Sequence, residues 1–306
     1  MTTTTAQPSA TQAADVEAAA TGAPRRGALS RVLGRTGGLA VQGFLILVAL
    51  FWLMPSFGLF IASLRTSQDT AASGWWTVFT TPAQLTVDNY TKLLEDPFIV
   101  ESLWNTVFIS VPATVLVVLI SAGAAYAFAW MEFPGRDWLF LIVVALIVVP
   151  IQMGLIPNAQ IFRALGIFGT VSAAVLFHVA FGLPFAIFLL RNFFIGIPRD
   201  LLEAARMDGG KEFTIFRKVV LPLGWPAIAS LAIFQFLWVW NDLLVAMVFA
   251  TDARPITVAM KEQTRAFGSN IDIIAPGVFL SMIVPLAVFF AFQRYFVQGV
   301  LAGSVK

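Results

Sequence analysis

Residues 191–222 read RNFFIGIPRDLLEAARMDGGKEFTIFRKVVLP and separate two long apolar runs. Pro198 is of a type favoured at the start of a helix, and Asp200 places negative charge near the positive end of the helix dipole. Glycine adopts the left-handed conformation that ends many helices without a Cβ clash. The stretch therefore predicts a short helix that begins near Pro198 and ends at Gly209 or Gly210.

A second short helix is predicted from Lys211 to Leu221, because Pro222 cannot continue the backbone hydrogen bonds of a helix. Within the first helix, Ala204 and Ala205 carry almost no side-chain bulk, so another surface can approach that helix closely. A helix, a glycine turn and a helix together have the shape of a docking site for a partner. The residues alone also allow an ordinary connection between two membrane helices.

The composition on either side of this stretch indicates an integral membrane protein. Of the 306 residues, 58% are hydrophobic and 12% are charged, against roughly 25% charged in an average soluble domain. Because a charge at the bilayer centre costs about 3 kcal/mol or more, charge-free stretches mark the spans. An all-α fold with six transmembrane helices is predicted, at 39–64, 103–130, 138–157, 167–190, 223–241 and 274–293.

Five prolines lie inside these predicted spans, and they are open to two interpretations. They are either packing kinks, whose freed carbonyls find partners on neighbouring helices, or hinges around a translocation path. The five are Pro55, Pro112, Pro150, Pro184 and Pro285.

Basic residues predict the orientation, since the cytoplasmic side of membrane proteins is enriched in Lys and Arg. We expect a disordered cytoplasmic tail over 1–37, a membrane domain over 38–295 that includes the cytoplasmic loop 191–222, and a cytoplasmic C-terminal tail over 296–306. With both termini in the cytoplasm, the outer segments hold six basic residues, Arg65, Lys92, Arg163, Arg254, Lys261 and Arg265. The inner segments hold thirteen, namely Arg25, Arg26, Arg31, Arg35, Arg136, Arg191, Arg199, Arg206, Lys211, Arg217, Lys218, Arg294 and Lys306.

Several kinds of chemistry are excluded by the residues that the chain lacks. It has no cysteine and a single histidine, His178, so we expect no metal site. No carboxylate is predicted at the depth of His178, which favours a packing role for this side chain. There is no G-x-x-x-x-G-K-[ST] phosphate loop, so the chain is not its own ATPase. We expect neither enzymatic activity nor a cofactor, and a net charge of +2 gives no reason to expect nucleic acid.

Polar side chains are few at membrane depth, and they suit an uncharged, hydroxyl-rich substrate such as a sugar. Amides can bond to hydroxyl groups without an intramembrane ion pair, although the same side chains also bridge membrane helices. The candidates for a substrate path are Asn105, Gln152, Gln235 and Asn241.

The loop carries a specific motif that resembles the EAA motif of binding-protein-dependent ABC importer permeases. Its one departure is Val219, where isoleucine is usual. The resemblance implies that the loop forms a coupling helix that fits a cleft in a cytoplasmic ATPase subunit. The coupling residues that it implies are Glu203, Ala204, Ala205, Asp208, Gly209, Leu221 and Pro222.

From residue 40 onward the chain resembles the second permease subunit of maltose-type carbohydrate importers, and most closely α-glucoside permeases. The segments that carry this resemblance are FWLMPSFGL (51–59), YAFAWMEFPGRDWLF (126–140), FQFLWVWNDLL (234–244) and the C-terminal FVQGVLAGSVK (296–306). The resemblance implies the type I importer fold, in the inner membrane.

The implied partners are a second homologous permease subunit, two cytoplasmic ATPase subunits, an extracytoplasmic solute-binding protein and a sugar. In this family the outer loop from Asp242 to Asp272 faces the binding protein, and the C-terminal tail reaches toward the ATPase. A plain solvated loop and a frayed terminus are the competing interpretations. The rival functions are an ABC permease for another solute, and a secondary transporter or channel, which should show intramembrane carboxylates or internal repeats.

Overall fold

The computed structural model describes the backbone of residues 28–264 and 270–304 and the side chains of residues 41–264 and 270–293. Within these residues the secondary structure is helical, apart from one isolated antiparallel bridge between Arg65 and Leu85. The α-helices are α1 (Ala28–Ser63), α2 (Ser67–Ala72), α3 (Asp88–Glu95), α4 (Pro97–Trp130), α5 (Arg136–Leu146), α6 (Ile151–Ala164), α7 (Val171–Ile195), α8 (Arg199–Met207), α9 (Glu212–Ile215), α10 (Leu221–Trp240), α11 (Leu244–Phe249), α12 (Ile256–Gln263) and α13 (Ile271–Ser304).

Five helical stretches of the described chain are long and apolar enough to cross a membrane, which confirms the predicted all-α membrane fold. The pair α5 and α6 adds a sixth if it is counted as one span. The five are Val41–Ser63, Pro97–Trp130, Val171–Ile195, Glu212–Trp240 and Ile271–Gln293.

The third predicted span, 138–157, is not one straight helix. Its two halves, α5 and α6, meet at an angle of 101°. Pro150 explains the break, because it has no N–H and its ring clashes with the preceding turn. The amides of Val148 and Val149 bond instead to carbonyls three residues back, at 3.2 Å each.

The prediction that Pro222 stops a helix is also wrong. The chain continues as one helical run from Glu212 to Trp240, with a π-helical segment over Phe216–Val220. The amide of Leu221 bonds to the carbonyl of Phe216, five residues back. Pro222 therefore sits in the first turn of α10, where a proline is tolerated, next to the wider π turn.

Two boundaries at the ends of the chain differ from the predicted ones. α1 begins at Ala28, so residues 28–37 are helical rather than part of a disordered tail, while residues 1–27 lie outside the described residues. α13 runs through to Ser304, so the backbone of the predicted C-terminal tail is helical up to that residue.

The chain divides by its internal contacts into two units, Met1–Phe57 and Gly58–Lys306. In the first unit, every described side chain from Val41 to Phe57 is exposed, and most are apolar, as expected of a helix that faces lipid or another subunit.

The second unit has its core where α4, α7 and α10 pack together. The buried positions include many alanines, which let the helix backbones approach closely in the absence of a strong hydrophobic drive between membrane helices. These alanines are Ala113, Ala122, Ala125, Ala173, Ala174, Ala186 and Ala227.

The helix ends of this unit gather on two opposite sides. On one side the carbonyl of Gly169 accepts from the amide of Asp252 at 3.0 Å. On the other side the Nε1 of Trp130 donates to the carbonyl of Phe194 at 3.1 Å. The segment that follows α1 is ordered by Arg65, which is fully buried and donates to the side chains and carbonyls of the turn around it.

Candidate coupling loop and substrate path

The short helix α8 lies on the surface and presents its motif residues outward. Leu202 is fully buried and anchors the helix to the core. Glu203 and Ala204 are exposed on the other face, and Met207 is 88% exposed. The exposed face therefore combines one carboxylate, one very small residue and one flexible apolar side chain.

A glycine turn ends this helix and fixes the direction of the chain after it. Gly209 has a φ of +80°, as the sequence predicts for this position. The amide of Gly210 bonds to the carbonyl of Ala205, and the amide of Gly209 bonds to the carbonyl of Arg206, both at 3.0 Å. These two bonds form a Schellman motif, which requires a left-handed residue at Gly209.

Arg206 and Glu212, one on each side of this turn, connect the loop to the end of α4. The Nε of Arg206 donates to Oε1 of Glu212 at 3.0 Å, and an Nη of Arg206 donates to the carbonyl of Trp130 at 3.2 Å. The hydroxyl of Tyr126 donates to the other oxygen of Glu212. The hydrogen bond to Glu212 raises the pKa of Arg206, so this guanidinium stays charged.

The cluster of Tyr126, Trp130, Arg206 and Glu212, here called the clamp, joins three elements. It holds α8 and α9 against the end of α4, and Trp130 in turn bonds to the end of α7 through the carbonyl of Phe194. A half-open cleft of about 540 Å³ lies beside it, lined in part by Glu132, Arg136 and Arg199. A displacement of α8 would therefore pull directly on the ends of two membrane helices.

The predicted coupling residues do not all lie together. Glu203, Ala204, Ala205, Asp208 and Gly209 belong to α8 and its turn. Leu221 and Pro222 lie beyond the π-helical segment, at the start of α10. The motif thus marks both ends of the loop, its exposed helix and its entry into the membrane helix.

The four candidates for the substrate path are not brought together either. Gln235 is buried and lines a cavity of about 290 Å³. Asn105 is half-buried, and Gln152 and Asn241 are exposed. The amide of Asn105 donates to the carbonyl of Arg254 at 3.3 Å. The amide of Asn241, which caps the end of α10, donates to the carbonyl of Leu237 in the last turn of that helix at 2.8 Å.

His178 has a carboxylate beside it, contrary to the expectation from the sequence. Its Nε2 lies 3.6 Å from Oδ2 of Asp242, and the histidine is 1% exposed. Asp242 also caps α11, because its oxygens accept from the amides of Val245 and Ala246. No group of three or more histidine, cysteine or acidic residues suited to a metal occurs in the described part of the chain.

The membrane-spanning helices, the surface helix α8 and its glycine turn agree with one known family. The family described as binding-protein-dependent transport system inner membrane component matches residues 28–302. The chain belongs to this family. It is a multi-pass permease subunit of an importer of the ABC class.

Curated relatives of this permease come from several bacteria. The osmoprotective compounds uptake permease protein GgtD of Synechocystis sp. is 49% identical over 274 residues, which cover 88% of this chain and 92% of the relative. The α-glucoside transport system permease protein AglG of Rhizobium meliloti is 50% identical over 235 residues, which cover 74% of this chain and 62% of the relative.

A solved structure has the same fold as this permease. It is a bacterial ABC transporter involved in the import of the acidic polysaccharide alginate, and the match has a TM-score of 0.73 with 25% identity. It covers 90% of this chain and 100% of the other.

The clamp is the part of this permease that its sequence did not reveal. Tyr126 lies 86 residues before Glu212, so no local pattern connects them. The sequence does contain a local signal for one pair of the clamp. Arg206 and Glu212 carry opposite charges on either side of the predicted glycine turn, and the turn brings them near each other.

Proposed function

We propose that this permease imports an uncharged α-glucoside, and that its surface helix α8 docks on a cytoplasmic ATPase subunit. The observation that carries the proposal is the construction of α8. Its face with Glu203, Ala204 and Met207 is exposed, whereas its other face and its C-terminal turn are fixed to the ends of membrane helices. A movement of a partner bound to the exposed face would therefore be transmitted through α8 to the ends of the membrane helices.

The chain requires partners, because it has no phosphate loop of its own. We propose a second homologous permease subunit, two ATPase subunits and an extracytoplasmic solute-binding protein. The name of the family, binding-protein-dependent, supports the last of these. The exposed apolar side chains of α1, and separately those of α4, support contact with lipid and with a second permease.

The substrate class is proposed from two lines of support. One is the identity to the α-glucoside permease. The other is the cavity beside Gln235, whose lining contains aromatic rings and an amide but no charged residue. Since the other relative is named for the uptake of osmoprotective compounds, the test must separate α-glucosides from a charged osmolyte.

Deletion of this permease should abolish uptake of labelled α-glucosides, with trehalose and maltose as the probes, and the intact gene should restore it. Uptake of a labelled quaternary ammonium osmolyte should stay unchanged in the same cells. Loss of the osmolyte uptake with intact α-glucoside uptake would contradict the proposed substrate while leaving the importer class in place.

We propose that α8 and both termini are cytoplasmic, because the segments on that side carry thirteen of the basic residues named above and the opposite segments carry six. Because the sequence has no cysteine, an introduced cysteine is the only thiol of this subunit that a maleimide can label. Cysteine in place of Ala72, which is exposed, should react with an impermeant maleimide added outside intact cells. Cysteine in place of Asp137, whose side chain is 82% exposed, should react only after the cells are opened. The reverse pattern would contradict this orientation.

A further inference from the structure

The cavity beside Gln235 lies at the break between α5 and α6. Ile147 and Val149, from the break itself, form part of its wall. Irregular backbone at membrane depth is tolerated where it is packed in protein or lines a cavity, and broken helices form the binding sites of many transporters. The location is therefore one where a membrane protein can bind a polar solute.

The amide of Gln235 faces this cavity without a partner. The side chain is 5% exposed, and its Nε2 has no hydrogen-bond partner among the described residues. A buried donor left without a partner costs about 1–3 kcal/mol, so an unpaired amide at a cavity wall requires an explanation. A hydroxyl group of a bound solute would satisfy it.

The opposite wall is shaped around the same amide. Gly182 lies on α7, and a Cβ added there would be 2.9 Å from Nε2 of Gln235. A larger residue at this position would force the amide away from its place. The glycine therefore leaves the room that Gln235 needs to remain at the cavity wall.

Aromatic rings complete the lining. Phe181 and Phe185 follow one face of α7, and Trp238 stands one turn after Gln235 on α10. A sugar ring presents apolar C–H faces, which pack on aromatic rings, and hydroxyl edges, which bond to amides. Ligand sites combine apolar walls with a few placed polar groups, and a volume of about 290 Å³ is just below the lower end of their usual range of about 300–1,000 Å³. The cavity suits one ring of an oligosaccharide.

We propose that this cavity is a subsite of the permease for one glycosyl unit, with the amide of Gln235 bonded to a hydroxyl and the rings of Phe181, Phe185 and Trp238 against the sugar faces. The proposal rests on the proposed function, because it takes an uncharged α-glucoside as the solute. It assigns part of the contact with the substrate to this subunit.

The first test removes only the amide. Gln235→Met keeps the length and shape of the side chain, and Gln160→Met makes the same change at an exposed position of α6 outside this cavity. Both variants are purified with their partner subunits, reconstituted in liposomes and given the loaded binding protein. Gln235→Met should lower trehalose uptake at least about tenfold, while ATP hydrolysis stays within about twofold of the wild type. Gln160→Met should match the wild type in both.

The second test measures contact directly. Cysteine in place of Val149 lies in the cavity wall, and cysteine in place of Met153, which is 68% exposed, lies outside it. In the full complex trapped with nucleotide and trehalose-loaded binding protein, maleimide labelling at Val149 should slow several-fold relative to the complex without sugar, and labelling at Met153 should not. Equal labelling at Val149 with and without trehalose would overturn the subsite, as would unchanged uptake by Gln235→Met.

The two proposals fail in different ways. If the wild-type complex takes up no α-glucoside, the proposed function is wrong. If the wild type takes up trehalose and both subsite tests are negative, the proposed function stands and the subsite is elsewhere. Loss of uptake and of ATP hydrolysis together in Gln235→Met, with no protection at Val149, would give Gln235 a purely structural role.

Discussion

Gly209→Val should reach the membrane at a near-normal level and yet lose transport and its hold on the ATPase subunit. Gly209 has a φ of +80° and open space around its Cβ direction, so the substitution acts through backbone strain alone. A β-branched residue in this conformation is strained by about 1–3 kcal/mol. Relief of this strain would undo the Schellman turn and redirect α8. We expect co-purification of the ATPase subunit and α-glucoside uptake each to fall at least about tenfold.

A matched control is available in the same chain. Gly166 has a φ of +71° and also has open space around its Cβ direction, but it lies in the turn between α6 and α7, on the opposite side from α8. Gly166→Val should impose a similar strain and leave the ATPase subunit bound. Equal loss in both variants would mean that strain anywhere in the fold disables the protein. Normal transport by Gly209→Val would show that the loop is only a connection.

A second substitution tests the exposed face without strain in the turn. The sequence marks Ala204 and Ala205 alike as small positions, but Ala205 packs partly against the core, whereas Ala204 is exposed. Ala204→Trp should therefore block docking while the fold stays intact. Retention of the ATPase subunit by this variant would place the contact on another part of the loop.

The glycine turn could be predicted from sequence because its cause is local. Only a residue without a Cβ takes a positive φ easily, and Gly209 follows a helix of the expected length. The membrane spans were predictable for the same kind of reason, since charge is excluded from lipid along any stretch of about 20 residues. The predicted span at 103–130 leaves out the start of α4 at Pro97, because the charge of Glu101, one turn inside the helix, ends the charge-free stretch.

Features that depend on distant residues could not be predicted. His178 and Asp242 are 64 positions apart in the chain, and only the packing of α7 against the connection between α10 and α11 places the carboxylate next to the imidazole. The four amides proposed for a substrate path share a chemical type, but helix rotation buries Gln235 and leaves Gln152 exposed. The break at Pro150 was ambiguous, because a proline in a membrane helix is compatible with a kink, a hinge or a full break.

Glu212→Ala should separate docking from transmission, because Glu212 belongs to the clamp and not to the exposed face of α8. It accepts from both Arg206 and Tyr126, and hydrogen bonds that involve a charged group contribute about 1.5–3 kcal/mol each. Without them α8 keeps its exposed residues, its glycine turn and the bond from Arg206 to the carbonyl of Trp130, but it loses the carboxylate that joins Arg206 to Tyr126. We expect the ATPase subunit to co-purify normally and to hydrolyse ATP, while α-glucoside uptake falls by roughly ten- to a hundredfold.

Glu132→Ala is the matched control, since it removes a carboxylate from the same cleft at an exposed position that is not part of the clamp. It should leave uptake per ATP hydrolysed unchanged. Arg206→Ala also removes the bond to the carbonyl of Trp130, so it should lose at least as much uptake as Glu212→Ala. The double variant should be no worse than Arg206→Ala, because both changes break the ion pair of Arg206 and Glu212. Additive losses in the double variant, or loss of the ATPase subunit in Glu212→Ala, would show that the two residues act separately and that the clamp does not transmit the motion of α8.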